Sequence, residues 1–295
     1  MSRLRASRPS LPVLVRACRP RQWVKNVLVL TAPIAAGVVT QPRALLQMLL
    51  AVIAFSVAAS GIYLVNDAID VEADRAHATK RLRPVASGEL SVREAWVAAL
   101  VLLPAALVIS ALVTWQLLVV VAIYEAVQLW YCLGMKHEPV IELTSVASGF
   151  LLRAIAGGVA THVQLSQWFL IAAGFGSLFM AAGKRYAEIR LTQDTGVAIR
   201  PVLKRYTPSY LRFVWTMSAA VLVTTYALWA FTMGAAASNQ WSVVSIVPFV
   251  VALLRYSVDV DSGAAGEPEE IVLHDRMLMV LGVIWALCLI GSVYF

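Results

Sequence analysis

Between Asn66 and Gly88 the chain reads NDAIDVEADRAHATKRLRPVASG, and three of its carboxylates, Asp67, Asp70 and Asp74, fall at i, i+3 and i+7. On a helix that spacing lines them along one face over about two turns, with Glu72 turned elsewhere. Three like charges side by side repel unless something positive sits among them. A hard, oxygen-ligated ion such as Mg2+ suits the place, because it takes one or two carboxylates and leaves its other positions to water and substrate phosphates. Arg75, Lys80, Arg81 and Arg83 follow at once, which is the charge needed to hold a polyphosphate beside that metal. The plainer alternative is a solvated loop between two apolar helices, but a carboxylate stripe followed by a cationic cluster is an improbable product of random charge. His77 is assigned to the loop, since Mg2+ prefers oxygen.

A second candidate cluster is Gly183-Lys184-Arg185-Tyr186-Ala187-Glu188-Ile189-Arg190. Lys184 and Glu188 are i, i+4 neighbours and would form an ordinary surface pair. If the segment faces the aspartate stripe, however, Lys184, Arg185, Tyr186 and Glu188 supply phosphate donors, a hydroxyl and a further carboxylate. Near the N-terminus, RPRQWVKN places Lys25 and Asn26 just inside an apolar stretch. Trp and Lys commonly anchor helices at headgroup level; the functional alternative has Lys25 and Asn26 pointing into a polar cavity and touching an anionic substrate. Glu125, Gln128, Glu142 and Arg153 also fall in or beside apolar stretches, where ionisable groups are costly and are usually paired or functional. For Arg153, pairing with Glu125 or Glu142 stands beside substrate contact. Lys136, His137 and Glu138 fit an ordinary headgroup-level loop.

The elements that must position these groups are membrane helices. With 60% hydrophobic and 14% charged residues and a mean hydropathy of +0.76, the chain lacks the polar surface of a soluble domain. Apolar windows near the spanning length of about 20 residues occur at 24–40, 43–65, 93–113, 115–134, 141–161, 166–183, 212–236, 241–257 and 275–295. The expectation is an all-α, nine-helix transmembrane bundle, residues 24–295, preceded by a basic juxtamembrane arm over 1–23. With the N-terminus cytoplasmic, the loops 66–92, 184–211 and 258–274 share one side, and of the 24 basic residues only Arg43 falls in an outer loop, as the positive-inside rule requires. Ser91 and Glu94 form a capping box opening the third helix, and Pro268-Glu269-Glu270 is a helix start. Cys18, Cys132 and Cys288 have neither metal-ligand nor redox spacing. The net charge of +7 hugs one membrane face, which favours lipid headgroups and anionic substrates over nucleic acid.

The nine-span plan, the NDAIDVEAD stripe and the following RLRPVASG resemble the UbiA superfamily of intramembrane prenyltransferases, whose first aspartate-rich motif has the form NDxxDxxxD. Members that use prenyl diphosphates carry a second aspartate-rich motif after the sixth span, where this chain has GKRYAEIR. Together with RPRQWVKN, KRLRPVASGELS, MKHEPVIE, GFLLRA and PEEIVLHDR, that departure is more similar to the decaprenyl-phosphate phosphoribosyltransferase branch. The resemblance implies transfer of 5-phosphoribose from phosphoribosyl pyrophosphate to decaprenyl phosphate or a similar polyprenyl phosphate, at the cytoplasmic face of the plasma membrane, for an arabinan-containing cell wall. It implies Mg2+, replaceable by Mn2+, held by Asp67, Asp70 and Asp74 with Asn66 and Glu188 assisting. Lys80, Arg81, Arg83, Lys184 and Arg185 would clamp phosphates, with Tyr186, Asn26 and Arg153 also at the substrate, and Lys25 would position the attacking lipid phosphate. The rivals are prenyl transfer to an aromatic acceptor and a non-enzymatic lipid transporter. A homo-oligomer is compatible with every one of these readings.

Overall fold

The computed structural model describes residues 13–77, 79–195, 201–237, 240–262, 271 and 274–294, and among them all regular structure is helical. Eight long helices carry the architecture: α1 (Pro42–Ile69), α2 (Val92–Val113), α3 (Trp115–Cys132), α4 (Ile141–Ala160), α5 (Gln167–Thr195), α6 (Pro208–Ala237), α7 (Trp241–Asp261, interrupted at Ser245) and α8 (Arg276–Tyr294). Ahead of them an 11-residue 3-10 helix, Pro20–Leu30, runs into one α-helical turn, Thr31–Ala35.

Among the described residues, seven helices, all of these except α5, are long and apolar enough to cross a membrane. The protein is an integral membrane protein. The two remaining windows of the expected nine have a different character. Window 24–40 holds the 3-10 segment, and window 166–183 is the first half of α5, whose second half is charged through Lys184, Arg185, Glu188 and Arg190.

The helix ends follow local chemistry. Ser91 Oγ accepts from Glu94 N at 3.2 Å and Glu94 Oε2 accepts from Ser91 N at 2.8 Å, the expected capping box at the start of α2. Thr114 ends α2 and caps α3, its Oγ1 accepting from Leu117 N at 3.0 Å. Residues 268–270 lie outside the described residues; α8 is capped by Asp275, whose Oδ1 accepts from Met277 N at 2.8 Å.

α1 forms the centre of the N-terminal half, against α2, α3, α4 and the 3-10 segment. It is apolar on all sides, as a buried membrane helix should be. Ala51, Ala54, Ala58 and Ala59 are all buried on it, small residues that let neighbouring backbones close in. The closest approach is elsewhere: a Cβ on Gly157 of α4 would lie 1.8 Å from the Val29 carbonyl oxygen, so the 3-10 segment rests directly on the α4 backbone. In the C-terminal half α5 and α6 pack along their length, with α7 and α8 outside them. Phe179, Tyr186, Trp215 and Tyr256 stack at their common core.

Candidate active site

The aspartate stripe is not on one unbroken helix. Asn66 and Asp67 occupy the last turn of α1, Asp70 is the junction (φ −89°, ψ 10°), and Asp74 belongs to a short following helix, Val71–Ala76. Helical hydrogen bonds bridge the bend, Asp70 N to Asn66 O at 2.9 Å and Asp74 N to Asp70 O at 2.8 Å, so the carboxylates keep a helical order while the axis turns. The chain then folds back through Arg83 and the helical turn Pro84–Ser87, which ends at Gly88 with a left-handed φ of 86°, a conformation glycine adopts without strain.

That return brings cations among the carboxylates. Arg83 Nη1 lies 2.5 Å from Asp74 Oδ2 and 3.3 Å from Asp67 Oδ1. Arg19 also binds Asp67 Oδ1, Lys136 binds Asp70 Oδ1, and Lys80 Nζ is 3.9 Å from Asp74 Oδ1. Asp67 and Asp74 are buried. The repulsion expected of three neighbouring carboxylates is thus met here by side chains from four places in the chain. Among the described residues no three potential ligands converge on one point. The donors present are nonetheless carboxylate and amide oxygens, and Asp67 Oδ2 is buried with no hydrogen-bond partner among the described residues. Such a hard, incompletely satisfied oxygen set fits the chemistry of Mg2+, which Asp67, Asp70, Asp74 and Asn66 would hold.

A cavity of about 580 Å³ opens beside this wall. Asn66, Asp70, Asp74, Lys80 and Arg83 form one wall of its lining, and Lys184, Arg185 and Glu142 a second. Val146, Phe150 and Met180 give it an apolar surface, where Lys25 Nζ lies 6.0 Å from the Phe150 ring centre. The second wall is tightly built. Arg185 donates through Nε to Glu142 Oε1 at 2.8 Å and through Nη1 to both Glu188 oxygens at 3.1 Å. Just before Glu142, Val140 is held at φ 68°, ψ −52°, a conformation a β-branched residue adopts only when its surroundings impose it. Val140 N donates to Tyr206 Oη at 2.7 Å, which pins the turn. Burial pushes the Tyr206 hydroxyl above its ordinary pKa, so it stays neutral as an acceptor.

The structure therefore gathers Lys25, Asn66, Asp70, Asp74, Lys80, Arg83, Lys184 and Arg185 around one cavity, with Asp67 directly behind Arg19 and Arg83. Other expected site residues lie apart. Arg81 is exposed and outside the lining. Tyr186 is buried on the far side of α5, accepting from Arg212 at 2.5 Å and donating to Asp261 at 2.8 Å. Glu188 reaches the site through Arg185. Asn26 and Arg153 are buried off the cavity: Arg153 Nε donates to Asn26 Oδ1 at 2.7 Å and Nη2 to Tyr124 Oη at 3.2 Å. Its guanidinium lies 4.9 Å from the Tyr124 ring centre and 5.5 Å from that of Phe55. These contacts take the place of both alternatives the sequence offers for Arg153, pairing with Glu125 or Glu142 and contact with the cavity. Arg19, Gln22, Gln128, Lys136 and Glu142 also line the cavity, beyond the site residues expected from the sequence. Only the cost of a charge near an apolar stretch singled out Glu142, and nothing local marked Lys136.

Residues 26–290 match the UbiA prenyltransferase family. The chain is 51% identical over 287 residues to a decaprenyl-phosphate phosphoribosyltransferase of Corynebacterium glutamicum, covering 95% of this chain and 86% of that protein. It is 53% identical over 276 residues to one of Mycobacterium tuberculosis, covering 92% and 91%. In fold it is similar to a UbiA homolog from Archaeoglobus fulgidus solved with DMAPP and Mg2+, with a TM-score of 0.69 at 19% identity over 96% of this chain and 99% of that one. The chain belongs to the UbiA prenyltransferase family.

Proposed function

We propose that this protein transfers 5-phosphoribose from phosphoribosyl pyrophosphate to decaprenyl phosphate, releasing pyrophosphate, as a step toward arabinan precursors of the cell wall. The observation that carries the reading is the joining of two charged walls in the lining of one cavity. Asp70 and Asp74 with their cations stand on one. On the other stand Lys184 and the Arg185–Glu142 pair, and Lys184 and Arg185 belong to GKRYAEIR, where the resemblance to prenyl diphosphate-using members implies a second aspartate-rich motif. A prenyl diphosphate has one anionic end, whereas phosphoribosyl pyrophosphate has two, and cations at two places in the lining, Lys80, Arg83 and Lys136 at one and Lys184 at the other, suit the second. Relatives more than half identical over most of their length bear the corresponding name.

In this reading Lys80, Arg83 and Lys136 face the pyrophosphate and Lys184 the 5-phosphate, while Lys25, over Phe150 at the apolar side, orients the lipid phosphate. The bond from ribose C1 to the pyrophosphate oxygen breaks with its electron pair leaving on pyrophosphate, and a lipid phosphate oxygen forms the new bond to C1. No strong general base is required, because that oxygen is already ionised at neutral pH. Mg2+, with Mn2+ as a replacement, held by Asp67, Asp70, Asp74 and Asn66, would supply charge neutralisation at the leaving group. Arg83 and Arg19 hold Asp67 and Asp74 in place for that task.

In the same proposal the chain crosses the membrane nine times. A 3-10 helix rises about 2.0 Å per residue, so Pro20–Leu30 extends about 22 Å, and Thr31–Ala35 adds about 7 Å. Together they approach the hydrocarbon thickness of about 30 Å. α5 reaches that length with its apolar first half and part of its charged second half. The charged loops then share the cytoplasmic side with the N-terminus.

The test is incubation of the purified protein with labelled phosphoribosyl pyrophosphate and decaprenyl phosphate, beside prenyl diphosphate and an aromatic acid. Label entering the lipid phase only in the first reaction is expected; transfer only in the second would replace this reading by aromatic prenylation.

A further inference from the structure

Glu142 is the most constrained carboxylate of the site and has no task in the phosphate chemistry. It is 1% exposed, yet it lines the cavity from the first turn of α4. Its Oε1 accepts from Arg185 Nε and Nη2, which fixes the rotation of the carboxylate. Its Oε2 has no hydrogen-bond partner among the described residues. A buried carboxylate oxygen left unpaired costs the full desolvation of a charged acceptor, so a donor brought by the substrate is stabilised there.

The strain nearby points the same way. Val140, two residues earlier, holds a positive φ of 68° and is tied by its N–H to Tyr206. Arg185 is itself locked between Glu142 and Glu188. Strained backbone persists where the surroundings over-determine it, commonly to aim a side chain. Three elements, the turn before α4, α5 and the Pro201–Arg205 turn leading to Tyr206, thereby converge on the orientation of one carboxylate.

We infer that Glu142 Oε2 accepts hydrogen bonds from the 2- and 3-hydroxyls of the ribose and is the residue that selects a phosphoribosyl donor over a prenyl diphosphate. Phosphate oxygens are acceptors and cannot satisfy Oε2; a prenyl chain has no donor at all; a vicinal diol offers two. A carboxylate on a ribose hydroxyl is the usual solution in nucleotide-binding folds for the same chemical reason. Arg185 is then a positioning residue, acting on the sugar through Glu142. The inference rests on the phosphoribosyl reading above.

Kinetics with phosphoribosyl pyrophosphate and its 2-deoxy and 3-deoxy analogues, using full-length protein and decaprenyl phosphate, provide the test. In the unaltered protein at least one analogue should lose about 10- to 100-fold in kcat/KM, the scale of a charged hydrogen bond. Glu142→Gln, which replaces the acceptor by a donor, should weaken the parent donor by a similar factor, mainly through KM, and leave parent and analogue within about twofold of each other. Inhibition by inorganic pyrophosphate should be unchanged, since pyrophosphate has no sugar. Arg185→Lys should raise KM more than it lowers kcat and reduce the discrimination partially. Equal use of both deoxy analogues by the unaltered protein overturns the inference whether or not any variant folds. Retained discrimination in Glu142→Gln overturns it as well, and an altered response to pyrophosphate would reduce Glu142 to a structural salt bridge. Failure of the underlying reading has a different signature, namely no transfer from phosphoribosyl pyrophosphate itself.

Discussion

Arg83 Nη1 sits 2.5 Å from Asp74 Oδ2, so a cation nine residues downstream occupies the space beside the last carboxylate of the stripe. Arg83→Ala would leave Asp67 and Asp74 buried with less positive charge. Loss of one partner from a largely buried pair costs about 2–3 kcal/mol at this partial exposure. The Tm of the variant should fall in chelator, and Mg2+ should restore more of it than it adds to the unaltered protein. A Tm unresponsive to Mg2+ in both proteins would remove the metal assignment.

Asp67→Asn and Asp70→Ala should each lower kcat by at least about 100-fold, the scale at which loss of charge stabilisation at a leaving group is felt. Both should elute from gel filtration as the unaltered protein does. Turnover near the original level would mean that the stripe is structural.

Gly157→Ala is expected to be far worse than a helix glycine-to-alanine change elsewhere. The added Cβ would meet the Val29 carbonyl oxygen at 1.8 Å, and backbone cannot yield as a side-chain end does. A destabilisation of about 2–3 kcal/mol follows from overpacking, read as a lower Tm and displacement of the segment that carries Lys25.

The Asp275 carboxyl is held below its ordinary range, first by the hydrogen bond from Arg255 and then by the N–H groups of Met277 and Leu278 that it caps. A depressed carboxylate pKa contributes stability above its unfolded value and loses it as pH falls through the folded value. The Tm difference between the unaltered protein and Asp275→Ala should therefore be full above about pH 4 and shrink below it. A difference independent of pH from 7 to 3 would separate the cap from its charge.

Much of this protein was legible from its amino acids. Apolar runs declare membrane helices because their burial in lipid depends on composition alone, and Ser91 with Glu94 declares a helix start because the capping bonds span three residues. NDAIDVEAD and GKRYAEIR marked one stretch of each wall, since the residues within each stretch are neighbours along the chain. What the residues could not reveal is which charges meet. Lys136 binds Asp70 from 66 positions away and Arg19 binds Asp67 from 48, pairings that depend on how helix ends are brought together and leave no local periodicity.

Sequence by itself determined the membrane class, the acidic stripe and the cationic second loop, all consequences of residue type and short-range spacing. Tertiary structure alone decided that the stripe bends at Asp70, that Tyr186 faces Asp261 instead of the cavity, and that Arg153 holds Asn26 beneath two aromatic rings. It also turned Glu142 into a buried carboxylate with only one oxygen satisfied among the described residues. The physical reason is that burial and pairing of a charge are set by every neighbouring helix at once, whereas a sequence motif encodes only the neighbours along its own backbone.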